Sequence, residues 1–170
     1  MAAGATYEPI ATTTLGSATG TVTFSSISQS YTDLILISSI KSNNANTSSL
    51  LFEINGVNSG SLYSGTMIYG SGSAKGSNRT SSLDYGLILR NGGLSANTAI
   101  TQPFITHFMN YSNTTNFKTV ISRNNVDDVV AGIDLCLWRS TAAITSIRIF
   151  AQTNDFAIGS TFTLYGIAAA

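Results

Sequence analysis

The chain is 170 residues long, which is the length of one domain with a core of its own. Its eight basic and eight acidic residues make up only 9% of the sequence and cancel in net charge. The basic residues are scattered singly, whereas a nucleic-acid-binding surface needs them clustered. A nucleic-acid partner is therefore not expected, and a surface with so little charge repulsion favours self-association.

Three further features of the sequence concern disulfide formation, secretion and membrane insertion. Cys136 is the only cysteine, so the chain cannot form an internal disulfide, and we expect this thiol to be a core residue. The first residues lack the basic region and apolar run of a secretion signal. No stretch approaches the ~20 apolar residues that span a bilayer. We expect neither export by a signal peptide nor a membrane partner.

The N-terminal part alternates between short strand patterns and polar turns. Residues 1–15 predict an N-terminal arm or an edge strand, because Pro9 cannot donate to a β-ladder. The rest of the chain, residues 16–170, predicts a single β-sandwich domain. Its first strands are expected at residues 19–24, 33–41 and 50–55.

Residues 56–93 differ from the strands that precede them. Glycines recur there among tyrosine and aliphatic residues. A loop of this length in a compact domain is usually functional or disordered, and the aromatic content argues against disorder. We therefore predict a packed Gly/Tyr-rich insertion on one face of the domain, with a short strand or helix at residues 83–90.

The C-terminal part returns to regular alternation. Strands are predicted at residues 102–110 and 117–123, joined by a polar turn. Residues 129–167 carry three more alternating segments with short polar links, which is typical of an antiparallel meander. Eight or more strands without helical periodicity predict an all-β antiparallel β-sandwich, jelly-roll-like in connectivity, with an up-and-down barrel as the alternative.

The sequence contains no recognisable catalytic or metal-binding motif. His107 is the only histidine, and no carboxylate or set of ligands is spaced to make a triad or zinc site with it. Lys75 lies in a Gly/Ser stretch, but it precedes the glycine that it should follow in a phosphate-binding loop. Asp127, Asp128 and Asp134 lack the spacing of a calcium loop. We expect no catalytic residue, no cofactor, no metal and no enzymatic activity.

Tyrosine is the residue type that most suggests a contact surface. The chain has seven tyrosines, and each offers apolar area together with a hydroxyl group. Taken singly, each is expected to cap the core; taken together, they favour an interface with protein or carbohydrate. The candidate interface consists of Tyr7, Glu8, Pro9, Ile10, Tyr63, Tyr69 and Tyr85.

Four stretches resemble a family of small bacteriophage virion structural proteins that is common in cyanophages. They are YEPIAT at residues 7–12, YTDL at 31–34, LWRSTAAI at 137–144 and GSTFTLYGI at 159–167. Short matches at residues 110–111, 118–119 and 122–123 follow the same pattern, whereas residues 60–99 are only loosely similar. None of these motifs is catalytic.

The resemblance implies a place in a virus particle, and related sequences decorate capsids or occur in tail fibres and adhesion devices. A fibre protein needs an extended trunk or a tail-docking segment, whereas this sequence predicts one β domain and a short arm. We therefore expect a capsid decoration (cement) protein, a homo-oligomer with a trimer favoured. It would bind the phage major capsid protein through residues 7–15 and 56–93, and it would be assembled into the virion in the bacterial host cytoplasm. The alternative is a tail-fibre or receptor-binding module that contacts host surface polysaccharide.

Overall fold

The computed structural model describes residues 6–126 and 130–168, and all side chains in these ranges except those of residues 91 and 92. This part of the chain contains strands and no helix, so the predicted all-β fold is confirmed. The twelve strands are Tyr7–Thr14 (β1), Thr21–Phe24 (β2), Asp33–Ile40 (β3), Ser48–Ile54 (β4), Tyr63–Gly70 (β5), Lys75–Leu83 (β6), Gly86–Leu94 (β7), Gln102–Phe108 (β8), Lys118–Val126 (β9), Val130–Trp138 (β10), Ile147–Ala151 (β11) and Thr161–Ile167 (β12).

The strands form two antiparallel sheets that pack as a sandwich. The larger sheet has the order β1-β12-β3-β8-β9-β10-β5-β6, and the smaller sheet has the order β2-β11-β4-β7. The sheets remain separate in the described part of the chain, so the sandwich is confirmed over the up-and-down alternative. If the hairpins β5–β6 and β9–β10 are set aside, the other eight strands alternate between the sheets along the chain, except that β4 and β7 follow each other in the smaller sheet. That alternation favours jelly-roll connectivity, which stays a prediction.

The core lies between the sheets and is aromatic at its centre. Phe52 meets Tyr63 and Phe108 edge to face, with ring centroids 6.0 and 5.4 Å apart. Tyr63 also stacks on Trp138. The Tyr63 hydroxyl accepts a hydrogen bond from the Ile54 N–H at 2.9 Å, which satisfies a polar group that would be costly to bury alone. Each aromatic pair adds roughly 0.5–1.5 kcal/mol beyond the burial of its surface.

The meander predicted for residues 129–167 is wrong in its pairing. Strand β10 pairs with β9 and β5, whereas β11 lies in the smaller sheet between β2 and β4. Strand β12 lies between β1 and β3 in the larger sheet. The three strands are consecutive in sequence but are not neighbours, because each link crosses from one sheet to the other. Residue 129 lies outside the described residues.

The Gly/Tyr-rich stretch of residues 56–93 is more regular than the sequence suggested. It supplies all of β5 and β6 and nearly all of β7, so it belongs to both sheets and is not an excursion packed on one face. The segment 83–90, expected as a short strand or helix, covers the end of β6 and the first half of β7. Gly86 lets β7 approach the core closely, since a Cβ there would lie 2.0 Å from Cζ of Phe52.

We expect the substitution Gly86→Ala to force the Phe52 ring and β7 apart, and so to lower the free energy of unfolding by about 1–3 kcal/mol. Gly70→Ala is the matched control, because Gly70 lies in β5 and a Cβ added there would have no heavy atom within 4 Å. The control should change stability by about 0.5 kcal/mol or less. Urea-induced unfolding of both variants measures the difference, and equal effects would contradict this account of the packing.

Candidate functional site

One face of the larger sheet packs on the core, and no described element covers its other face. The burial pattern of β10 shows which of its side chains point to the core and which point to the other face of the sheet. Its buried residues are Val130, Asp134, Cys136 and Trp138. Its outward residues are the exposed Ala131 and Ile133 and the half-buried Leu135 and Leu137. The aliphatic side of β10 therefore faces outward, and the side that carries Asp134 faces the core.

Aliphatic side chains of neighbouring strands continue this pattern and form what we call the outer face. One row across the sheet, set by the strand register, is Ile68, Ile133, Arg123, Ile105 and Ile37. The next row is Leu135, Ile121, His107 and Ile35. The exposed fractions of Ile68, Ile37 and Ile133 are 57%, 43% and 42%. Exposed aliphatic side chains grouped in this way are typical of interaction surfaces.

Arg123 is the one formal positive charge in the first row of the outer face. Its side chain is exposed and makes no hydrogen bond or ion pair with any residue that the structure describes. Shallow grooves flank it: one of about 410 Å³ beside Ile68 and Ile133, and one of about 240 Å³ beside Pro103 and Ile105. A complementary surface would be apolar and would present one carboxylate to the guanidinium group.

His107 has a carboxylate partner that the sequence did not reveal. Its Nε2 lies 2.9 Å from Oδ2 of Asp33, and Oδ1 of Asp33 accepts the N–H of Asn110. The two residues are 74 positions apart and meet because β3 and β8 are neighbours. Within the described ranges no serine, threonine or cysteine side chain hydrogen-bonds to this pair. The pair therefore ties two strands together and does not assemble a nucleophilic triad.

The Gly/Ser stretch around Lys75 forms the turn between β5 and β6. The Ser71 N–H donates to the Ala74 carbonyl at 2.7 Å, and the Ala74 N–H donates to the Ser71 hydroxyl at 2.9 Å. A strand follows the turn, where a phosphate-binding loop would require a helix N-terminus.

The acidic and thiol candidates do not form a metal site in the described part of the chain. Asp127 and Asp128 lie outside it, and Asp134 is buried between the sheets. Among the described residues no group of three His, Cys, Asp or Glu side chains is close enough to hold a metal ion. Cys136 is buried, and burial raises the pKa of its thiol to about 12, so it behaves as a core residue.

The four N-terminal residues of the predicted interface lie together on β1, where Tyr7, Glu8 and Pro9 are exposed and Ile10 is partly buried. Strand β1 forms one edge of the larger sheet and pairs only with β12. The other three predicted residues, which are tyrosines, lie elsewhere and apart from one another.

Tyr63 was predicted as an interface residue, but it is fully buried in the core and is not available to a partner. Tyr69 is half-buried in β5, near the opposite edge of the larger sheet from β1. Tyr85, in the turn between β6 and β7, packs edge-on against Phe150 of the smaller sheet. The seven tyrosines therefore form no continuous platform, and Tyr7 is the one whose side chain is highly exposed.

The physical reason is that several phenol rings seal the core. The Tyr31 ring lies against Gly166, where a Cβ would be only 2.3 Å from Cγ of Tyr31. Tyr111 is buried and donates its hydroxyl hydrogen to the Ser28 carbonyl. Desolvation by burial raises the pKa of both phenols, so they remain neutral donors.

A buried polar cluster, which the sequence did not predict, lies on the inner side of β10. Oδ2 of Asp134 accepts a hydrogen bond from Nδ2 of Asn124 at 2.8 Å, and the same Nδ2 donates to the Ile88 carbonyl at 3.0 Å. Oδ1 of Asp134 and Nη1 of Arg90 are buried without a hydrogen-bond partner in the described structure. Desolvation by burial raises the pKa of Asp134 to about 6, although the Asn124 hydrogen bond and the charge of Arg90 oppose the rise.

The candidate site is thus a surface, made of the outer face and the exposed edge strand β1. No protein-family model matches the chain, and no curated protein matches it. No helix in the described ranges is long and apolar enough to cross a membrane. The outer face could have been suspected from β10 alone, because both of its sides carry apolar residues, but the pattern does not say which side faces the core.

The raised pKa of Asp134 makes stability depend on pH. Between the ordinary value of 3.8 and about 6, the folded protein holds a proton that the unfolded chain has released, so stability falls as pH rises through this window. The difference corresponds to about 3 kcal/mol at 1.36 kcal/mol per pKa unit. We expect Asp134→Asn, which keeps an oxygen acceptor for Asn124, to remove most of this loss. Urea unfolding at pH 4 and pH 7 measures it, and an unchanged pH dependence would contradict the account.

Proposed function

We propose that the protein is a bacteriophage virion structural protein, namely a capsid decoration (cement) protein that binds the major capsid protein lattice and stabilises the head. The observation that carries this proposal is the outer face, an exposed aliphatic surface that has at its centre Arg123, whose side chain pairs with none of the described residues. Covering such a surface is favourable by about 25 cal/mol per Å² of apolar area removed from water. The family resemblance of the sequence points to the same class of protein.

The size of the larger sheet suits a stable protein–protein interface. Eight strands spaced about 4.8 Å apart, each seven to nine residues long, cover roughly 35 by 25 Å. The resulting area of roughly 850 Å² matches the ~800 Å² that each partner contributes to a standard interface.

A protein that covers adjacent coat subunits stabilises a shell because it binds the assembled state and not the separate subunits. The aliphatic rows would supply most of the binding free energy. Arg123 would select the orientation, because a guanidinium group buried without a carboxylate is strongly unfavourable.

The structure gives less support to the polysaccharide-binding alternative. A sugar-stacking site needs aromatic rings that lie side by side on the surface, and here the tyrosines are divided between the core, both sheets and one edge. The decoration role is therefore the function that the geometry favours.

The test is cosedimentation of the purified protein with heads of the phage that encodes it, prepared without this protein. Wild-type protein should bind the heads at saturable sites. The double variant Ile68→Asn/Ile133→Asn and the single variant Arg123→Glu should each bind at least tenfold more weakly, because they remove apolar area or reverse the central charge.

Ile158→Asn is the matched control, since Ile158 is 65% exposed in the loop before β12 and lies outside the outer face. It should bind as the wild type does. Absence of binding to heads would refute the proposal, as would unchanged binding by the outer-face variants. Inhibition of host infection by the purified protein would instead favour the receptor-binding alternative.

A further inference from the structure

A polar pocket of about 300 Å³ lies at one end of the smaller sheet, and none of its described lining residues belongs to the outer face. Its walls come from the start of β4, the end of β7 and the loop that follows β11. Several lining side chains make no hydrogen bond with any described residue: the hydroxyls of Thr47, Ser49 and Thr153, the amide of Gln152 and the guanidinium of Arg90. These groups are free to bond with a molecule in the pocket.

A bulge in β7 forms one wall of the pocket. The pairing of β4 with β7 sets the four residues 90–93 opposite the single residue Ser49. Gly93, with φ of +65°, closes the bulge, because a Cβ there would lie 2.8 Å from the backbone nitrogen of Ser48. The N–H of Thr153 donates to the Ser48 hydroxyl at 3.0 Å, which holds the loop after β11 against β4. Bulges are frequent next to functional sites.

Arg90 is the charged group of the pocket, and it lacks a direct partner. It is partly buried, its Nη1 is enclosed without a hydrogen bond, and it makes no ion pair with any described residue. The other partly buried arginines are both satisfied: Arg148 pairs with Glu53 at 3.0 Å, and Arg139 donates to the Ser61 carbonyl at 3.1 Å. Withdrawing a guanidinium group from water without a partner is unfavourable, so an anion that pairs with it is favoured.

Asp134 does not supply that partner. Its charge and that of Arg90 attract each other, but the two side chains form no ion pair or hydrogen bond in the described structure. Asp134 lies on the inner side of β10, where it accepts a hydrogen bond from Asn124. No described lining residue of the pocket is acidic, so the charge of Arg90 selects an anion.

We propose that the pocket binds a small hydroxylated anion, a sugar acid or a sugar phosphate, whose charged group pairs with Arg90. Its hydroxyl groups would bond with Ser49, Gln152 and Thr153. The volume lies at the lower end of the range for small-molecule sites, roughly 300–1,000 Å³, which suits a single sugar ring. The described lining includes no aromatic ring, so the pocket differs from the sugar-stacking surface that the receptor-binding alternative requires. The inference does not rest on the proposed role in the virion.

Titration of ¹⁵N-labelled protein with galacturonate, galactose 6-phosphate and neutral galactose, followed by NMR, tests the site. The backbone amide of Gly93 and the side-chain amide of Gln152 should shift saturably with at least one of the two anions and not with galactose. Arg90→Gln should weaken the binding at least about tenfold, because it removes the charge-assisted hydrogen bonds. Arg79→Gln is the matched control, since Arg79 is exposed in β6 and lies outside the pocket. It should change the affinity by about twofold or less.

The titration of the wild-type protein needs no variant, so it remains decisive if Arg90→Gln fails to fold. Binding of galacturonate alone would identify the charged group as a carboxylate, and binding of galactose 6-phosphate alone would identify it as a phosphate. Shifts that do not saturate, shifts that galactose reproduces, or an equal loss of affinity in the two arginine variants would overturn the inference. A protein that binds phage heads but neither anion would refute it and leave the proposed function standing.

Discussion

The unequal width of the two sheets is the constraint on which the rest of the structure depends. Four strands cannot cover eight, so the smaller sheet protects only part of the larger one. The aromatic cluster of Phe52, Tyr63, Phe108 and Trp138 lies between the sheets where they overlap. Beyond the overlap, β1 and β6 have no buried residue on either side. The sandwich is therefore well packed at its centre, whereas β1 and β6 at the two edges of the larger sheet contribute no fully buried side chain.

The outer face arises because β10 is apolar on both sides and buries one carboxylate, Asp134, among the core residues of its inner side. On β10 the side that carries Asp134 faces inward, and the side that carries Ile133 faces outward. Asn124 and the charge of Arg90 stabilise the buried carboxylate, but desolvation still raises its pKa to about 6. The same strand exposes Ile133, which the partner proposed above would cover.

The outer face and the edge strands β1 and β6 are two different surfaces of the larger sheet. The edges lie in the plane of the larger sheet and carry Pro9 on β1 and Lys75 and Arg79 on β6, residue types that protect an edge from further strand pairing, whereas the outer face is broad and carries aliphatic side chains. The two surfaces differ in composition: the outer face is aliphatic around Arg123, whereas β1 and β6 consist mostly of polar residues.

The sequence by itself determined the class of fold and the absence of recognisable site motifs. Alternation with a period of two, polar turns and scarce charge were sufficient to predict an antiparallel sandwich. Only the tertiary structure decided which strands are neighbours, why His107 meets Asp33, and that Tyr63 is buried and Ile133 exposed. The reason is physical. Alternation defines two faces of a strand but not which one is buried, and strand pairing joins residues far apart in sequence, so both choices are made by the packing of the whole chain.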